Sequence, residues 1–458
     1  MGHNRESQDK WKYLIVFSKF VVQFVEVATV KSFGVLIPTM LDVFSIDASS
    51  LMLLALACSM PASMMAFGSL PMAYVLKSAF ISPRAMAVTG AITSSLGIII
   101  SGYLTSVFAL GFCLSITGLG LSMVYITVKV LLNDHFPENF VLVNTIGHLG
   151  STVGALVVPF IVERALRAYG FSGAMLILGG ISMHAIPISV YLKQTRRATF
   201  VKSAKAIDSC QKPLIDGDDC DRESTEVIAT HDEESRSILP QTDESQNRRK
   251  QRWAVRLWHS VQGCIIIQEP LLLLSLPCLL LSAVVVNSWI LFLVPRAVWH
   301  GIPVSKAVLL SSLAGAGGFI GRIMSIIFLF LKIDFILVFL IFGVISTTVF
   351  LLDPLLTSFP VMCVAAFLQG VCVFSFVISY AALLKGSVSN ENFTVGSGIF
   401  GFVAGLGGNI GSLMSGAIKD KTGSYTTVFL TLGFINCLVV LLTIAFLVAR
   451  HRWTRLKS

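Results

Sequence analysis

Five charged side chains stand inside runs of sequence otherwise fit only for lipid. They are Lys19, Glu26 and Lys31 in "FSKFVVQFVEVATVKSFGVLIPTML", Lys129 in "YITVKVLL" and Arg322 in "LAGAGGFIGRIMSIIFLFL". A cation at the centre of a membrane span costs about 2.5–3.5 kcal/mol on insertion scales, so each must snorkel to an interface, pair, or line a wet cavity. Arg322 carries the strongest signal, because its guanidinium keeps its charge and presents a planar fork of donors that matches a carboxylate. It lies roughly 25 Å from one end of its helix with two apolar turns beyond it, and no acid stands within a turn of it on that helix. Its two readings are recognition of an anionic group and pairing with Glu26 or backbone carbonyls. Lys31, roughly 27 Å along the first span, either snorkels outward or draws a negative solute into an apolar entrance. Lys19 and Lys129 lie within two turns and one turn of their helix ends, close enough to snorkel. Glu26 follows Lys19 by seven residues on one helix face, so the two share a polar stripe that either snorkels or packs against another helix.

The elements that position these residues follow from composition. The chain has 458 residues, 55% hydrophobic and 13% charged, about half the charged content of a soluble domain. Apolar runs long enough for a hydrocarbon core of roughly 30 Å fall near 13–36, 51–75, 85–105, 107–132, 140–161, 171–192, 270–294, 305–330, 333–352, 358–384, 394–418 and 425–449. The expected architecture is an all-α polytopic membrane protein with twelve transmembrane helices in two groups of six. The first run is long enough to span and carries three charges, so it reads as a retained helix rather than a cleaved signal peptide. Glu6 stands where N-myristoylation asks for Ser or Thr. Nine cysteines without C-x-x-C spacing read as small core hydrophobes, and no metal or cofactor is expected.

The net charge of +9 serves membrane orientation and not nucleic-acid binding. Arg5, Lys10, Lys12, Lys77, Arg84 and the closing "RHRWTRLKS" share one side if both termini are cytoplasmic. The division follows: a tail over 1–12, a six-helix bundle over 13–192, a linker over 193–268, a second bundle over 269–449 and a tail over 450–458. The linker, with "DGDDCDRESTEV" and "HDEESRSILPQTDESQNRRKQR", buries too little apolar surface to fold and reads as a disordered cytoplasmic tether. The sequon at Asn392 falls in a cytoplasmic loop, out of reach of glycosylation.

The two bundles resemble each other. "GHLGSTVGALVVPFIVERALRAYGFSGAMLILG" aligns, with a three-residue gap, on "GLGGNIGSLMSGAIKDKTGSYTTVFLTLG", setting Gly150 and Gly154 opposite Gly407 and Gly411. Each glycine alone reads as helix packing in lipid. Recurrence at equivalent places indicates parallel six-helix repeats, as in major facilitator transporters, whose site lies between the halves near the midplane.

Four stretches then resemble one family, the monocarboxylate transporters of solute carrier family sixteen. "VKSFGVLIPTMLDVF" is similar to that family's first helix and "FIGRIMS" to its eighth-helix segment around a substrate arginine. "NFTVGSGI" resembles its turn into helix 11, and "SGAIKDKTGSYTTVFLTLG" the stretch before helix 12. The resemblance implies that Lys31 attracts or releases the substrate carboxylate near the outer mouth and that Arg322 binds it deeper. Asn144 falls where the family has an asparagine in its helix 4–5 signature. Phe374 and Phe376 fall in helix 10, where members line the cavity, although core packing explains either equally well. The chain also departs from the family. The acid-Gly-Gly-Trp-Gly-Trp stretch before helix 1 is reduced to "DKWKY", and Pro137, Glu138, Asn139 and Phe140 replace a basic run. Gly318 stands where proton-coupled members carry an aspartate.

The reading is a secondary carrier that moves a small organic anion or amphipathic carboxylate by alternating access, and no enzyme. It works by facilitated diffusion rather than strict proton symport, with Asn287, Trp289 and Tyr380 around the substrate body and Glu26 as the candidate coupling group. Two alternatives stand beside it: a proton-coupled symporter using Glu26, and a non-transporting sensor or scaffold of the same fold. No H-E-x-x-H, G-x-S-x-G or paired acid cluster supports a hydrolase. The expected location is the plasma membrane. The resemblance leaves room for a single-span immunoglobulin-type accessory partner.

Overall fold

The computed structural model describes residues 2–44, 51–78, 80–192, 265–355 and 357–457. Among these residues the regular structure is helical, with no strand. The main elements are α1 (Gly2–Val43), α2 (Leu51–Ser78), α3 (Pro83–Ser101), α4 (Val107–His135), α5 (Phe140–Met183), α6 (Ala185–Val190), α7 (Leu272–Trp299), α8 (Val304–Phe330), α9 (Phe335–Leu351), α10 (Phe359–Ser387), α11 (Phe393–Thr422) and α12 (Tyr425–Lys457). The chain divides into two compact units, one of Met1–Lys193 with Glu269–Ser458 and one of Gln194–Gln268. Of the second, the described part is the helical turn Ile265–Gln268. The tether expected at 193–268 lies, up to residue 264, outside the described residues.

Ten described helices are long and apolar enough to cross a bilayer. One of them, Phe140–Val190, supplies two passes, and the 17-residue Phe335–Leu351 is a shorter apolar helix. The double pass turns on Gly170, at φ 68° and ψ −170°, a conformation that a side chain would oppose. Beyond it the chain descends antiparallel to α3: the Ser172 hydroxyl donates to the Gly102 carbonyl at 2.7 Å, and the Ser95 and Ser182 hydroxyls lie 3.3 Å apart. The expected loop at 162–170 is therefore helical as far as Gly170. Likewise α1 and α12 run through the terminal segments to Gly2 and Lys457, because a helix satisfies its own backbone on either side of the lipid boundary.

The aligned glycines do equivalent work in the two halves. A Cβ at Gly154 would lie 2.5 Å from the Phe24 carbonyl oxygen, and one at Gly150 would collide with that of Phe20, so α5 lies directly against α1. A Cβ at Gly407 would lie 2.5 Å from the Leu280 oxygen, and one at Gly411 2.6 Å from the Val284 oxygen, so α11 lies against α7. Backbone-to-backbone approach of this kind replaces the hydrophobic drive that lipid removes.

Contacts between the two halves gather toward the face that carries the chain termini. The Ser69 hydroxyl of α2 donates to the Gly398 carbonyl of α11 at 2.8 Å, and the Phe67 and Phe402 rings lie 5.6 Å apart. Phe140 meets Phe393 edge-on at 4.9 Å, and the Lys385 ammonium of α10 donates to Asn133 of α4 at 2.7 Å. The terminal side of the bundle is thus closed.

At the opposite face the second half is pinned internally. The Arg296 guanidinium of α7 meets the Asp353 carboxylate at 2.6 Å, with both side chains about 95% buried or more, and donates to the Asp353 carbonyl at 3.1 Å. Burial in this apolar setting pushes the Asp353 carboxyl up, to about 6, against the pull of the guanidinium.

Two outcomes follow from this packing. Asp353→Ala leaves a cation buried beside apolar surface and lowers stability by about 3–5 kcal/mol, measured by thermal unfolding of the detergent-solubilised chain. Gly154→Val and Gly411→Val each lower it by about 1–3 kcal/mol through overpacking, whereas Gly416→Ala, with open space around its Cβ position, leaves the midpoint in place.

Candidate functional site

Arg322 is set in place by the small residues that precede it. A Cβ at Gly317 would collide with the Phe367 carbonyl oxygen and one at Gly321 would lie 2.6 Å from that of Val371, so α8 lies directly on α10. This contact brings the Arg322 guanidinium over the Phe374 ring, 5.3 Å from its centroid. A cation over an aromatic face is stabilised by the ring quadrupole, the more so where water is sparse. From the other half, the Thr152 hydroxyl of α5 accepts a hydrogen bond from the same guanidinium. Arg322 therefore stands between the bundles, half-buried, and touches both.

Phe374 also bears on Gly318. A Cβ at Gly318 would collide with the Phe374 ring, so the ring occupies the space into which a side chain at 318 would grow. The guanidinium has an aromatic face and a hydroxyl as neighbours, where an aspartate one turn earlier would have supplied a carboxylate.

A second polar group lies in the first half. The Lys19 ammonium sits 4.0 Å from the centroid of the Tyr125 ring, and that of Lys129 lies 5.8 Å from the same ring. Lys19 is 0% and Lys129 8% exposed. Snorkelling is thus overturned for both lysines, and for Lys19 the alternative of packing against another helix holds: its stem runs against Gly147 of α5 and its head lies over an aromatic face. Glu26 accepts a hydrogen bond from the Gln23 amide, and its charge bears on Lys19. Of the two readings of Arg322, the pairing with Glu26 is not seen among the described residues: the guanidinium donates to Thr152.

The other candidate residues are more dispersed. Lys31 is exposed on α1, toward the face opposite the termini. Asn144 is buried on α5, with a side-chain oxygen that has no hydrogen-bond partner. Asn287 is exposed on α7, its amide donating to the Ala283 carbonyl at 2.9 Å and packed against Gly408. The Tyr380 hydroxyl accepts from Ser282 at 3.2 Å. Trp289 is buried. Phe376 is wholly buried against Phe339 at 5.0 Å, turned away from Phe374 because two helical residues differ by about 200°. Sequence reasoning passed over Thr152, Tyr125 and His148. A hydroxyl and an imidazole in "GHLGSTVG" one turn apart on the glycine face of α5 were the available signal for Thr152 and His148.

Residues 20–352 match the family profile described as Major Facilitator Superfamily. Among curated proteins, the chain is 24% identical over 387 residues to Monocarboxylate transporter 12 of Homo sapiens, covering 80% of this chain and 68% of that one. Among solved structures, it superposes on the proton:xylose symporter XylE bound to 6-bromo-6-deoxy-D-glucose with a TM-score of 0.68 at 12% identity, covering 96% of each chain. It also superposes on the transporter FucP in the outward conformation, with a TM-score of 0.61 at 14% identity, covering 94% of this chain and 98% of that one. At these identities the two structures speak for the fold alone.

The Gly318–Phe374 contact has a direct test. Gly318→Ala lowers stability by about 1–3 kcal/mol, and combining it with Phe374→Ala recovers part of the loss, a coupling of about 0.5–3 kcal/mol in a double-mutant thermal-unfolding cycle.

Proposed function

Because the chain belongs to the major facilitator superfamily, a family of transporters and not of enzymes, we propose that it is a carrier resembling the monocarboxylate transporters and that it moves a small organic anion or amphipathic carboxylate. The observation that carries this reading is the place of Arg322. A permanently charged guanidinium stands between the two halves with one hydroxyl and one aromatic ring as its neighbours. Such a group binds a carboxylate through paired, charge-assisted hydrogen bonds, and contact with both halves lets that binding bias the rocking of one bundle on the other.

Lys31, exposed toward the face opposite the termini, suits the entrance of such a path and meets the solute before Arg322 does. Asn144, Asn287 and Tyr380 are candidates for contact with the substrate body. With the terminal side closed and both termini cytoplasmic, this arrangement is an outward-facing stage of alternating access at the plasma membrane. A scaffold would have no use for buried intramembrane cations, whose cost is justified by a ligand.

Facilitated diffusion is the mechanism that fits Gly318 and Phe374. A symporter needs a titrating group that exchanges partners with the substrate charge, and the position that holds an aspartate in proton-coupled relatives is filled here by an aromatic ring. The competing coupling group is Glu26, held by Gln23 near Lys19.

Uptake of labelled carboxylates into cells expressing the chain tests this. Arg322→Ala, confirmed at the cell surface, lowers uptake at least about thirtyfold, the equivalent of about 2 kcal/mol. Arg322→Lys, which keeps the charge and loses the fork, fails to restore it. Wild-type uptake is the same at acidic and neutral outside pH. Acid stimulation abolished by Glu26→Gln overturns the facilitated mechanism in favour of proton coupling, and full uptake by Arg322→Ala overturns the anchor.

A further inference from the structure

Arg322 has a layer of cations beside it that recognition of a single carboxylate leaves unused. Measured from Tyr13 and His135, the terminal-side ends of their apolar helical spans, Lys19 and Lys129 each lie six residues in, about 9 Å. His148 and Arg322 lie eight residues from theirs, about 12 Å in. The four occupy one thin layer drawn from α1, α4, α5 and α8. They are also lateral neighbours. Thr152, the partner of Arg322, is one helical turn from His148 on α5, a spacing of about 6 Å. The Lys19 stem touches Gly147, the residue next to His148, and the charges of Lys19, Lys129 and Arg322 all bear on that imidazole.

Lys19, Lys129 and Arg322 put three basic side chains in this layer, and Glu26 stands seven residues from Lys19 on α1 with the Gln23 amide as its hydrogen-bond donor. The Lys19 nitrogen is wholly buried and has no hydrogen-bond acceptor. An ammonium has three donors, and the Tyr125 face below it supplies none of the acceptors they require. A water molecule could accept a hydrogen bond but not neutralise a charge, whereas an anionic oxygen does both.

We propose that Lys19 and Lys129, which share the Tyr125 ring, form a second anion subsite beside Arg322, and that the substrate carries two acidic groups, one for the guanidinium and one for the lysine pair. The inference rests on the carrier reading and narrows its substrate class from carboxylates in general to small dicarboxylates. A monoanion held by Arg322 leaves the buried Lys19 nitrogen without an acceptor, whereas a dianion meets both. Tyr125 holds the two ammonium groups on a common support, and the α1–α5 contact at Gly147 fixes the height of Lys19.

The test is uptake into proteoliposomes containing the purified full-length chain, comparing a series of dicarboxylates from malonate to adipate with butyrate, in chloride and in gluconate buffers. The wild type takes up at least one dicarboxylate in preference to butyrate by about tenfold or more, equally in both buffers. In Lys129→Met and Lys19→Met, which exchange a buried charge for a side chain of similar length, that preference falls about tenfold, with monodispersity checked by gel filtration. Butyrate preferred or equal to every dicarboxylate in the wild type overturns the second subsite without help from any variant. So do an unchanged preference in both lysine variants and a butyrate uptake that requires chloride, which would assign the lysines to a separate inorganic anion. Arg322-dependent butyrate uptake in those cases leaves the carrier reading standing, whereas absence of uptake for every acid overturns both.

Discussion

A guanidinium that keeps its charge must be held in a chain built to exclude charge, and much of the arrangement around it can be understood as the way that is done. Insertion of Arg322 costs about 2.5–3.5 kcal/mol before any partner is found. The partners come from two directions: the Phe374 ring from its own half and the Thr152 hydroxyl from the other. Neither is an acid, so the charge is accommodated without being neutralised.

That accommodation depends on glycine-mediated helix contact. Gly317 and Gly321 let α8 lie on α10 so that Phe374 reaches the guanidinium, and Gly147, Gly150 and Gly154 let α5 lie on α1 so that Thr152, His148 and Lys19 share one region. In water such contacts would be a minor matter beside burial of apolar area. In lipid, where the tails are as apolar as leucine, close backbone approach and interhelical hydrogen bonds are what hold helices in register. The small residues are therefore part of the site, because they set the distances at which its polar groups meet.

The second half shows the contrasting case of a charge that is fully spent. Arg296 is matched by Asp353 at 2.6 Å with both side chains buried, and the pair links the end of α7 to the turn after α9 within one bundle. Such a pair fixes geometry and offers little to a ligand. Arg322 differs from it in that its neighbours are an aromatic ring and a hydroxyl.

The sequence by itself determined the helical class, the pairing of six helices with six, and the residues whose charge needed explaining, because a bilayer imposes length and apolarity on every span and penalises each exception. It also marked Gly150, Gly154, Gly407 and Gly411 as equivalent, since a repeat is visible in spacing alone. Tertiary structure decided the rest. Lys19 and Lys129 are near helix ends and by position should snorkel, yet Tyr125, on a helix more than a hundred residues along from Lys19, offers them a face that turns them inward. Phe374 and Phe376 are two residues apart in a helix apolar all round, and only the packing of α8 and α9 shows that one meets the guanidinium and the other the core. Thr152 was marked only by its one-turn spacing from His148, because a hydroxyl in a span bonds its own backbone as readily as a distant partner. Periodicity reports which face of a helix is apolar, and in a helix surrounded by lipid and protein alike it does not report which neighbour that face will meet.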